Sequence, residues 1–374
     1  MKTAFISTIT GYPWGGADAV WTAAAEAAAA RGDQLLLGVT DQVAAHPRVH
    51  ALLDRGAERL PLAPAGPPPR FVERQYRRVC GWLGATSDIV VTGLQRFRPD
   101  LVVFSCGGTY DLAFAPQWTN WLDANRARFR LIANLQFEQP YLADAQWKAA
   151  RQAFAAADAV FFLSERNLAV TRQHLLTALP NASVVQTPLR WTPADTAPWP
   201  DVPPWRMATV GRLEHVKGIA PLLHALAEAL GRDPDWELHL YGRGPQEVFL
   251  RDTARHLGLE ARVHFHGFVE SLREIWAHNH LFISPALEEG VPMTIPEAML
   301  CGRPVLATVV GGAEEWLTHG DTGWLCPAPA VSLLAQALRG AWEHRSDWRE
   351  MGIRASTVAG KKYRPDDYMR VIIE

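Results

Sequence analysis

The amino-acid sequence predicts an α/β protein made of two doubly wound domains. Short apolar segments alternate with helical segments over residues 1–190 and again over residues 206–345, which is typical of parallel sheets covered by helices. Six prolines lie between Thr187 and Trp205, and we interpret residues 191–205 as a stiff linker. A chain of 374 residues is longer than one hydrophobic core usually spans, so we expect two domains. Residues 346–374 are predicted to add C-terminal helices.

The first domain begins with a strand over Thr3–Ile9, a glycine-rich loop and a helix over Ala17–Arg31. Its further predicted strands are Gln34–Val39, Leu101–Ser105, Leu131–Leu135, Ala159–Leu163 and Ser183–Gln186. Residues Leu60–Pro69 are rich in proline, and we predict a surface loop there.

The second domain repeats the alternation of strand and helix. Its predicted strands are Met207–Val210, Glu237–Tyr241, Arg262–Phe265, Leu281–Ser284 and Pro304–Val309. Its main predicted helices are Ile219–Leu230, Gln246–Leu257, Leu272–His278, Thr294–Leu300, Val331–His344 and Asp347–Lys361.

Composition excludes several classes of protein. A formal net charge of -2 argues against a nucleic-acid binder. The four cysteines have no metal-ligand spacing, so we predict no metal site and a reducing compartment. Apolar runs are shorter than the roughly 18 residues of a membrane span. The first residues are typical of a buried strand rather than a signal peptide, and we expect a cytoplasmic protein.

Residues 70–82 leave two interpretations open. Four arginines there alternate with Phe71, Tyr76 and Trp82, as in an interfacial helix on an anionic membrane. A solvated helix with one buried apolar stripe has the same pattern, and we favour it. Peripheral membrane contact remains a hypothesis.

Two cations follow the first strand of the second domain. Arg212 and Lys217 lie in the loop after Val210, and in parallel sheets such loops border the ligand crevice. A guanidinium and an ammonium one loop apart suit a diphosphate. Taken alone, the pattern favours two surface cations in a turn.

Two acids lie near the predicted strand Leu281–Ser284. Glu289 is in the loop, and Glu297 is in the first turn of the next helix. Thr294 and Glu297 have capping-box spacing, although a glutamate at a crevice also suits the hydroxyls of a ribose. Glu289 has no capping role and is the stronger functional candidate.

Glycines offer backbone amides to anions at two further places. Gly15 and Gly16 precede the first helix, and the loop ending at Met293 leads to the helix that begins at Thr294. A helix N-terminus of this kind favours an anion, but a plain tight turn explains the Gly15–Gly16 pair as well.

Several motifs in order resemble the retaining family 4 glycosyltransferases of GT-B fold. Glu289 and Glu297 have the spacing of that family's Glu-x7-Glu signature. The resemblance extends to VGRLEHVKG, LYGRGP, VHFHGFV, DTGWL and the N-terminal GYPWGGAD. It covers the second domain specifically and the first loosely, and it implies two Rossmann-like domains facing across a cleft, with the last helix packing back on the N-terminal domain.

The resemblance implies a role for each matching residue. It implies that a nucleoside-diphosphate sugar donates the sugar, and that the acceptor is a glycan, a lipid-linked sugar or a small molecule. No cofactor or metal is expected. Arg212 and Lys217 would bind the diphosphate, Glu289 the donor sugar and Glu297 the ribose. The remaining implied donor contacts are Gly15, Gly16, Met293, Thr294, Gly267, Phe268 and Val269.

The acceptor side departs from the family pattern. Gln136 stands where many members carry a histidine, and the histidine often found after the earlier strand is absent from VVFSCGG. Glu138 and Asp111 are candidate carboxylates, although we favour solvated loop acids, and Trp14 is a candidate for stacking on a sugar ring. Gln136 motivates one alternative, a pseudo-glycosyltransferase that senses the donor. A nucleotide-sugar epimerase of GT-B fold is a second alternative.

Overall fold

The computed structural model describes residues 1–9, 14–62, 88–134, 142–231, 233–364 and 370–374. The predictions about Gln136, Glu138 and the helix over 70–82 lie outside these residues. The chain divides into two compact units, Met1–Pro188 with Arg364–Glu374, and Leu189–Tyr363.

The first unit is built on a seven-stranded parallel sheet in the order β3-β2-β1-β4-β5-β6-β7. The strands are β1 Lys2–Ser7, β2 Gln34–Thr40, β3 Glu58–Leu62, β4 Leu101–Cys106, β5 Phe129–Ala133, β6 Ala159–Phe162 and β7 Ala182–Val184. The helices are α1 Gly16–Ala30, α2 Asp41–Ala44, α3 Pro47–Asp54, α4 over residues 88–97, α5 Pro116–Asn125, α6 Asp144–Ala156 and α7 Glu165–Leu175, with a 3-10 turn at Asp111–Phe114.

The second unit has a six-stranded parallel sheet in the order β10-β9-β8-β11-β12-β13. Its strands are β8 Trp205–Val210, β9 Trp236–Tyr241, β10 Val263–Gly267, β11 Leu281–Ser284, β12 Val305–Thr308 and β13 Gly323–Cys326. Its helices are α8 Ile219–Leu230, α9 Glu247–His256, α10 Leu272–Ala277, α11 Thr294–Leu300, α12 Ala313–Trp316, α13 Val331–Glu343 and α14 Trp348–Lys362, with 3-10 turns at Pro193–Asp195, His215–Lys217 and Arg345–Asp347.

Both faces of the second sheet are buried, as expected for a doubly wound fold. Met207 and Ile283 belong to the core on one face, while their neighbours Ala208 and Phe282 belong to the core on the other. This alternation follows from the two-residue period of a strand. Because both faces are buried, the strands are continuous apolar runs in the sequence.

Two strands were missed by the sequence analysis, and both are sheet edges. The predicted loop Leu60–Pro69 begins inside β3, which contains Pro61, and β13 was not predicted at all. Proline lacks an N–H and is tolerated in an edge strand. The rule that proline marks a loop therefore failed at the edge of the sheet.

The proline-rich segment predicted as a linker is held against the second unit. The Arg303 side chain is buried and donates to the carbonyl oxygens of Ala197 (3.2 Å) and Pro198 (2.6 Å). The same guanidinium also bonds Asn279 O at 3.0 Å. The chain therefore enters the second unit at Leu189 rather than after the prolines.

The end of the chain belongs to the first unit. Ile372 and Ile373 are buried. Arg130 Nη1 donates to Ile372 O at 2.9 Å, and Arg31 Nη1 donates to Ile373 O at 2.9 Å. These arginines tie the final residues to β5 and to the end of α1.

Candidate functional site

The strand order of the second unit fixes where a ligand crevice must lie. β8 and β11 are adjacent, but the chain leads from β8 outward to β9 and β10, and from β11 outward to β12 and β13. In open parallel sheets this reversal opens a crevice at the carboxyl ends of the two strands. A small recess lies there and is lined by Thr209, Val210, Gly211, Arg212, Lys217, Phe282, Ile283, Ser284, Pro285, Ala286, Glu289 and Thr294.

Close backbone contact joins the loops that follow β8 and β11. Gly218 has φ +65°, and a Cβ atom there would lie 1.8 Å from Pro285 O. Leu287 N donates to Val216 O at 2.8 Å. Only glycine fits at position 218, since a side chain would push the two loops apart.

Each predicted cation of the recess has an acidic partner. Lys217 Nζ donates to Glu289 Oε1, and both side chains are largely shielded from solvent. Arg212 Nη1 donates to Glu214 Oε2 at 2.8 Å. The structure therefore brings Arg212, Lys217 and Glu289 to one recess, as the sequence predicted from their positions at strand ends.

Glu297 does not form the capping box that its spacing predicted. Helix α11 begins at Thr294 with Met293 as its cap residue, and the cap has no side-chain hydrogen bond. The Glu297 carboxylate, which is 2% exposed, instead accepts from the backbone N (3.2 Å), Nε (3.3 Å) and Nη2 (3.1 Å) of Arg190. An ion pair to a guanidinium satisfies a buried carboxylate better than one backbone amide does.

The two predicted amide donors of α11 differ in their surroundings. Met293 N donates to Val291 O at 2.9 Å, so a phosphate would have to share this amide. Thr294 lines the recess. Its position at the start of a helix leaves its backbone N–H outside the intrahelical ladder.

The loop predicted to contact the nucleobase follows β10. Gly267 has φ +70°, and its carbonyl accepts from Gly242 N at 2.7 Å. Phe268 is 64% exposed, whereas Val269 packs against the core. The loop thus lies at the same carboxyl edge of the sheet as the recess.

In the first unit, Gly15 and Gly16 begin helix α1, and a neighbouring acid holds them. Gly15 N donates to Asp18 Oδ2 at 3.0 Å, and Trp21 Nε1 donates to Asp18 Oδ1 at 3.1 Å. Burial raises the pKa of Asp18 to about 6, although both hydrogen bonds act in the opposite direction. The Gly15 amide therefore already donates to a carboxylate of its own chain.

Asp111 is buried, which contradicts the interpretation that it is a solvated loop acid. Its Oδ2 accepts from Thr8 Oγ1 and from Gly108 N at 3.0 Å. Thr8 Oγ1 in turn accepts from Gly107 N at 2.7 Å. Burial raises the pKa of Asp111 to about 6. The acid holds together the ends of β1 and β4, which lie side by side at the strand-order reversal of this sheet.

Trp14 stacks on a side chain of its own unit. Its ring lies parallel to that of His46, with 3.4 Å between the centroids and 5° between the planes. One face of the indole is therefore occupied, and a sugar ring would have to use the other.

Three groups of functional interest were missed by the sequence analysis. Arg190 lies in a proline-rich stretch without periodicity, and only the fold brings it to Glu297. Asp18 is visible in the GGAD motif, three residues after the N-cap Gly15, as an acid in the first turn of α1. The third group consists of Glu237, His239 and His264 on two strands. Its signal in the sequence was the alternation of titratable and apolar residues in the segments ELH and VHFH.

The whole fold has close structural counterparts. The crystal structure of Anabaena HepE in complex with UDP matches 100% of this chain and 98% of that chain, with a TM-score of 0.72 and 20% identity. A sucrose-phosphate synthase from Thermosynechococcus elongatus matches 99% of this chain and 96% of its own, with a TM-score of 0.72 and 18% identity. Together with the two parallel sheets, this likeness confirms the predicted GT-B fold.

Residues 205–344 match the family described as "Glycosyl transferases group 1" and form a domain of that family. An exopolysaccharide phosphotransferase of Streptomyces coelicolor is 31% identical over 185 residues, 49% of this chain and 19% of the relative. An N-acetyl-alpha-D-glucosaminyl L-malate synthase of Bacillus anthracis is 29% identical over 157 residues, 42% of this chain and 41% of the relative. The alignments thus span less than half the length of these relatives.

Among the described residues, none of the helices combines the length and the apolar character needed to cross a bilayer.

Proposed function

We propose that this protein is a glycosyltransferase that moves a sugar from a nucleoside-diphosphate sugar to a hydroxyl group of a glycan, a lipid-linked sugar or a small molecule. The observation that carries the proposal is the Lys217–Glu289 pair in the recess where the strand order of the second sheet reverses. The glycosyl transferases group 1 domain contains both residues. We further propose that transfer retains the anomeric configuration and needs no metal.

The cations suit the leaving group of this reaction. When the glycosidic bond of the donor breaks, negative charge grows on the departing diphosphate. Fixed positive groups at that position stabilise the transition state more than the ground state. In the proposal Lys217 and Arg212 contact the diphosphate, and Glu289 and Glu214 hold them in place beforehand.

Glu289 and Glu297 are proposed to bind different parts of the donor. Glu289 lines the recess and would accept hydrogen bonds from the sugar. Glu297 would accept from the ribose, which requires the half-exposed Arg190 side chain to move or to share the carboxylate. Each carboxylate oxygen accepts more than one hydrogen bond, so sharing is chemically feasible.

The likeness to HepE, whose structure was determined with UDP, makes a uridine nucleotide the first donor to test. The purified protein is incubated with UDP-, GDP- and ADP-sugars, with and without acceptors, and nucleotide release is measured. We expect slow hydrolysis of at least one donor, faster release with a suitable acceptor, and loss of both in Glu289→Ala. The exposed acid Glu343, changed to glutamine, is the matched control.

The outcomes separate the alternatives. Nucleotide binding by calorimetry without release from any donor would favour a donor sensor, and an epimerised donor formed without acceptor would favour an epimerase. Retention is tested by the anomeric coupling constant of the product in NMR. Metal independence is tested by adding EDTA, which should leave the rate of nucleotide release unchanged.

A further inference from the structure

Strands β9 and β10 place four titratable side chains on one face of the sheet edge. Their parallel register sets His264 beside His239. Because side chains alternate along a strand, Glu237 shares the face of His239. His266 lies at a register shift in β10, and its Nε2 lies 2.9 Å from His239 Nδ1. The group is separate from the recess, since none of these four residues is among those that line it.

The spacing of three of these groups approaches that of a metal site. Glu237 Oε2 lies 3.2 Å from His239 Nε2, and Glu237 Oε1 lies 3.8 Å from His264 Nε2. One ligand atom from each of the three residues lies within 4.8 Å of the other two. Around a tetrahedral zinc ion with bonds of about 2.0–2.1 Å, neighbouring ligand atoms are about 3.3 Å apart. Small side-chain movements would close the set.

One nitrogen of this group lacks a hydrogen-bond partner among the described residues. His264 Nε2 is shielded from solvent and has no hydrogen-bond partner among the described residues. Its 3.8 Å distance to Glu237 is too long for a hydrogen bond. Burying such a nitrogen without a partner costs free energy, and a bound cation would accept its lone pair.

His266 occupies the position of a supporting residue. His239 Nδ1 lies 2.9 Å from His266 Nε2, so these nitrogens share a hydrogen bond. Metal-binding histidines usually donate their second N–H to such a partner, which fixes the tautomer and the ring orientation. If Nδ1 is the donor, Nε2 of His239 presents its lone pair toward Glu237 and His264.

We propose that Glu237, His239 and His264 bind one divalent transition-metal cation, with Zn²⁺ as the best-fitting ion, and that His266 positions His239. Two imidazoles and one carboxylate are ligand types that zinc prefers, and three protein ligands leave one position for water. The cation would tie edge strand β10 to β9. It is a structural cation, distinct from the diphosphate recess.

One neighbouring charge competes with this assignment. Arg206 Nε lies 3.6 Å from Glu237 Oε2. If Arg206 alone balances the carboxylate, the group is a hydrogen-bonded network that binds no metal. The arginine side chain is long and partly exposed, so a doubly charged ion can displace it from Glu237.

The test is titration of the chelator-treated full chain with ZnCl₂ in a calorimeter, together with thermal unfolding. We expect one bound ion per chain, a raised melting temperature, and at least about tenfold weaker binding in His264→Ala and Glu237→Gln. His266→Ala should weaken binding by about 10- to 100-fold, as loss of an outer partner does. His224→Ala, at an exposed histidine of α8, should bind as the unchanged protein does.

The proposal is overturned if the protein binds no zinc. It is also overturned if zinc binds equally strongly to His264→Ala, Glu237→Gln and His224→Ala. If His264→Ala does not fold, Glu237→Gln decides, because glutamine keeps the volume of the side chain. Nucleotide release is followed in parallel. We expect it to persist in the metal-free protein, which separates this inference from the proposed glycosyl transfer.

Discussion

The strand order reverses in both units, but the loops at the two reversals carry different charged side chains. In the second unit, the loops after β8 and β11 present Lys217 and Glu289 as a pair in the recess. In the first unit, the corresponding ends of β1 and β4 are joined by Asp111, which is buried and hydrogen-bonded to Thr8. The pKa of Asp111 is raised to about 6 by burial, whereas Glu214 and Glu289 of the second unit each have a cation beside them.

This difference shows that the sheet fixes where a site lies and the loops decide its chemistry. Cations that are paired with acids in a crevice can bind an anion, which then replaces the acids as their partner. The first crevice instead holds a buried acid that keeps its proton to higher pH than an exposed aspartate does.

Removing the recess ammonium should have the largest effect. Lys217→Ala is expected to reduce donor turnover by about 100- to 1,000-fold, because a fixed group that stabilises developing charge is lost. Turnover is measured as nucleotide release, and circular dichroism checks the fold. Lys361→Ala, at an exposed position of α14, is the control. A Lys217→Ala rate within about threefold of the parent would contradict the anion-binding role.

The buried acid of the first unit should make stability depend on pH. Burial raises the pKa of Asp111 from 3.8 to about 6, so the folded state keeps a proton that the unfolded chain has lost. The resulting stabilisation is fully present below about pH 4 and is lost as the pH rises through about 6. It amounts to at most about 3 kcal/mol.

Asp111→Asn should remove this dependence, since its amide oxygen can replace Oδ2 as acceptor for Thr8 and Gly108. Urea unfolding of parent and variant is compared between pH 4 and 7. The parent should lose more stability over this range than the variant does. Parallel curves would show that Asp111 does not titrate there, and Asp144→Asn, at an exposed acid of α6, serves as control.

Neutralising Glu297 should give the smallest of the three effects. Glu297→Gln is expected to weaken UDP binding by about fivefold, because hydrogen bonds to a charged acceptor are about 1 kcal/mol stronger than those to a neutral one. Calorimetry measures the Kd. The melting temperature is recorded as well, since the ion pair with Arg190 is lost. Unchanged UDP affinity would remove Glu297 from the donor site.

Much of the fold was predictable from local pattern. Helices α8 and α11 have the bounds that the sequence predicted, because their apolar spacing and their flanking glycine or proline residues agree. The edge strands β3 and β13 were missed, because edges tolerate proline and lack the long apolar run of a buried strand.

The candidate site was predictable only where strand ends carry it. Arg212, Lys217 and Glu289 follow strands, so the parallel-sheet rule brings them together. The partners of Glu297 and Asp111 were not predictable, since Arg190 and Thr8 lie about one hundred residues away in the chain. The Glu237–His239–His264 group depends on strand register, which the sequence does not state.

The buried Arg303 side chain has a consequence for cutting the protein into pieces. Its bonds to Ala197 O and Pro198 O hold the proline-rich segment against the second unit. A fragment that begins at Arg206 would lose these two acceptors and leave the guanidinium with those of Asn279, Cys301 and Trp276. A fragment from Leu189 to Tyr363 would keep them, together with the 2.8 Å bond from Leu189 N to Tyr363 Oη, and is the natural unit for excision.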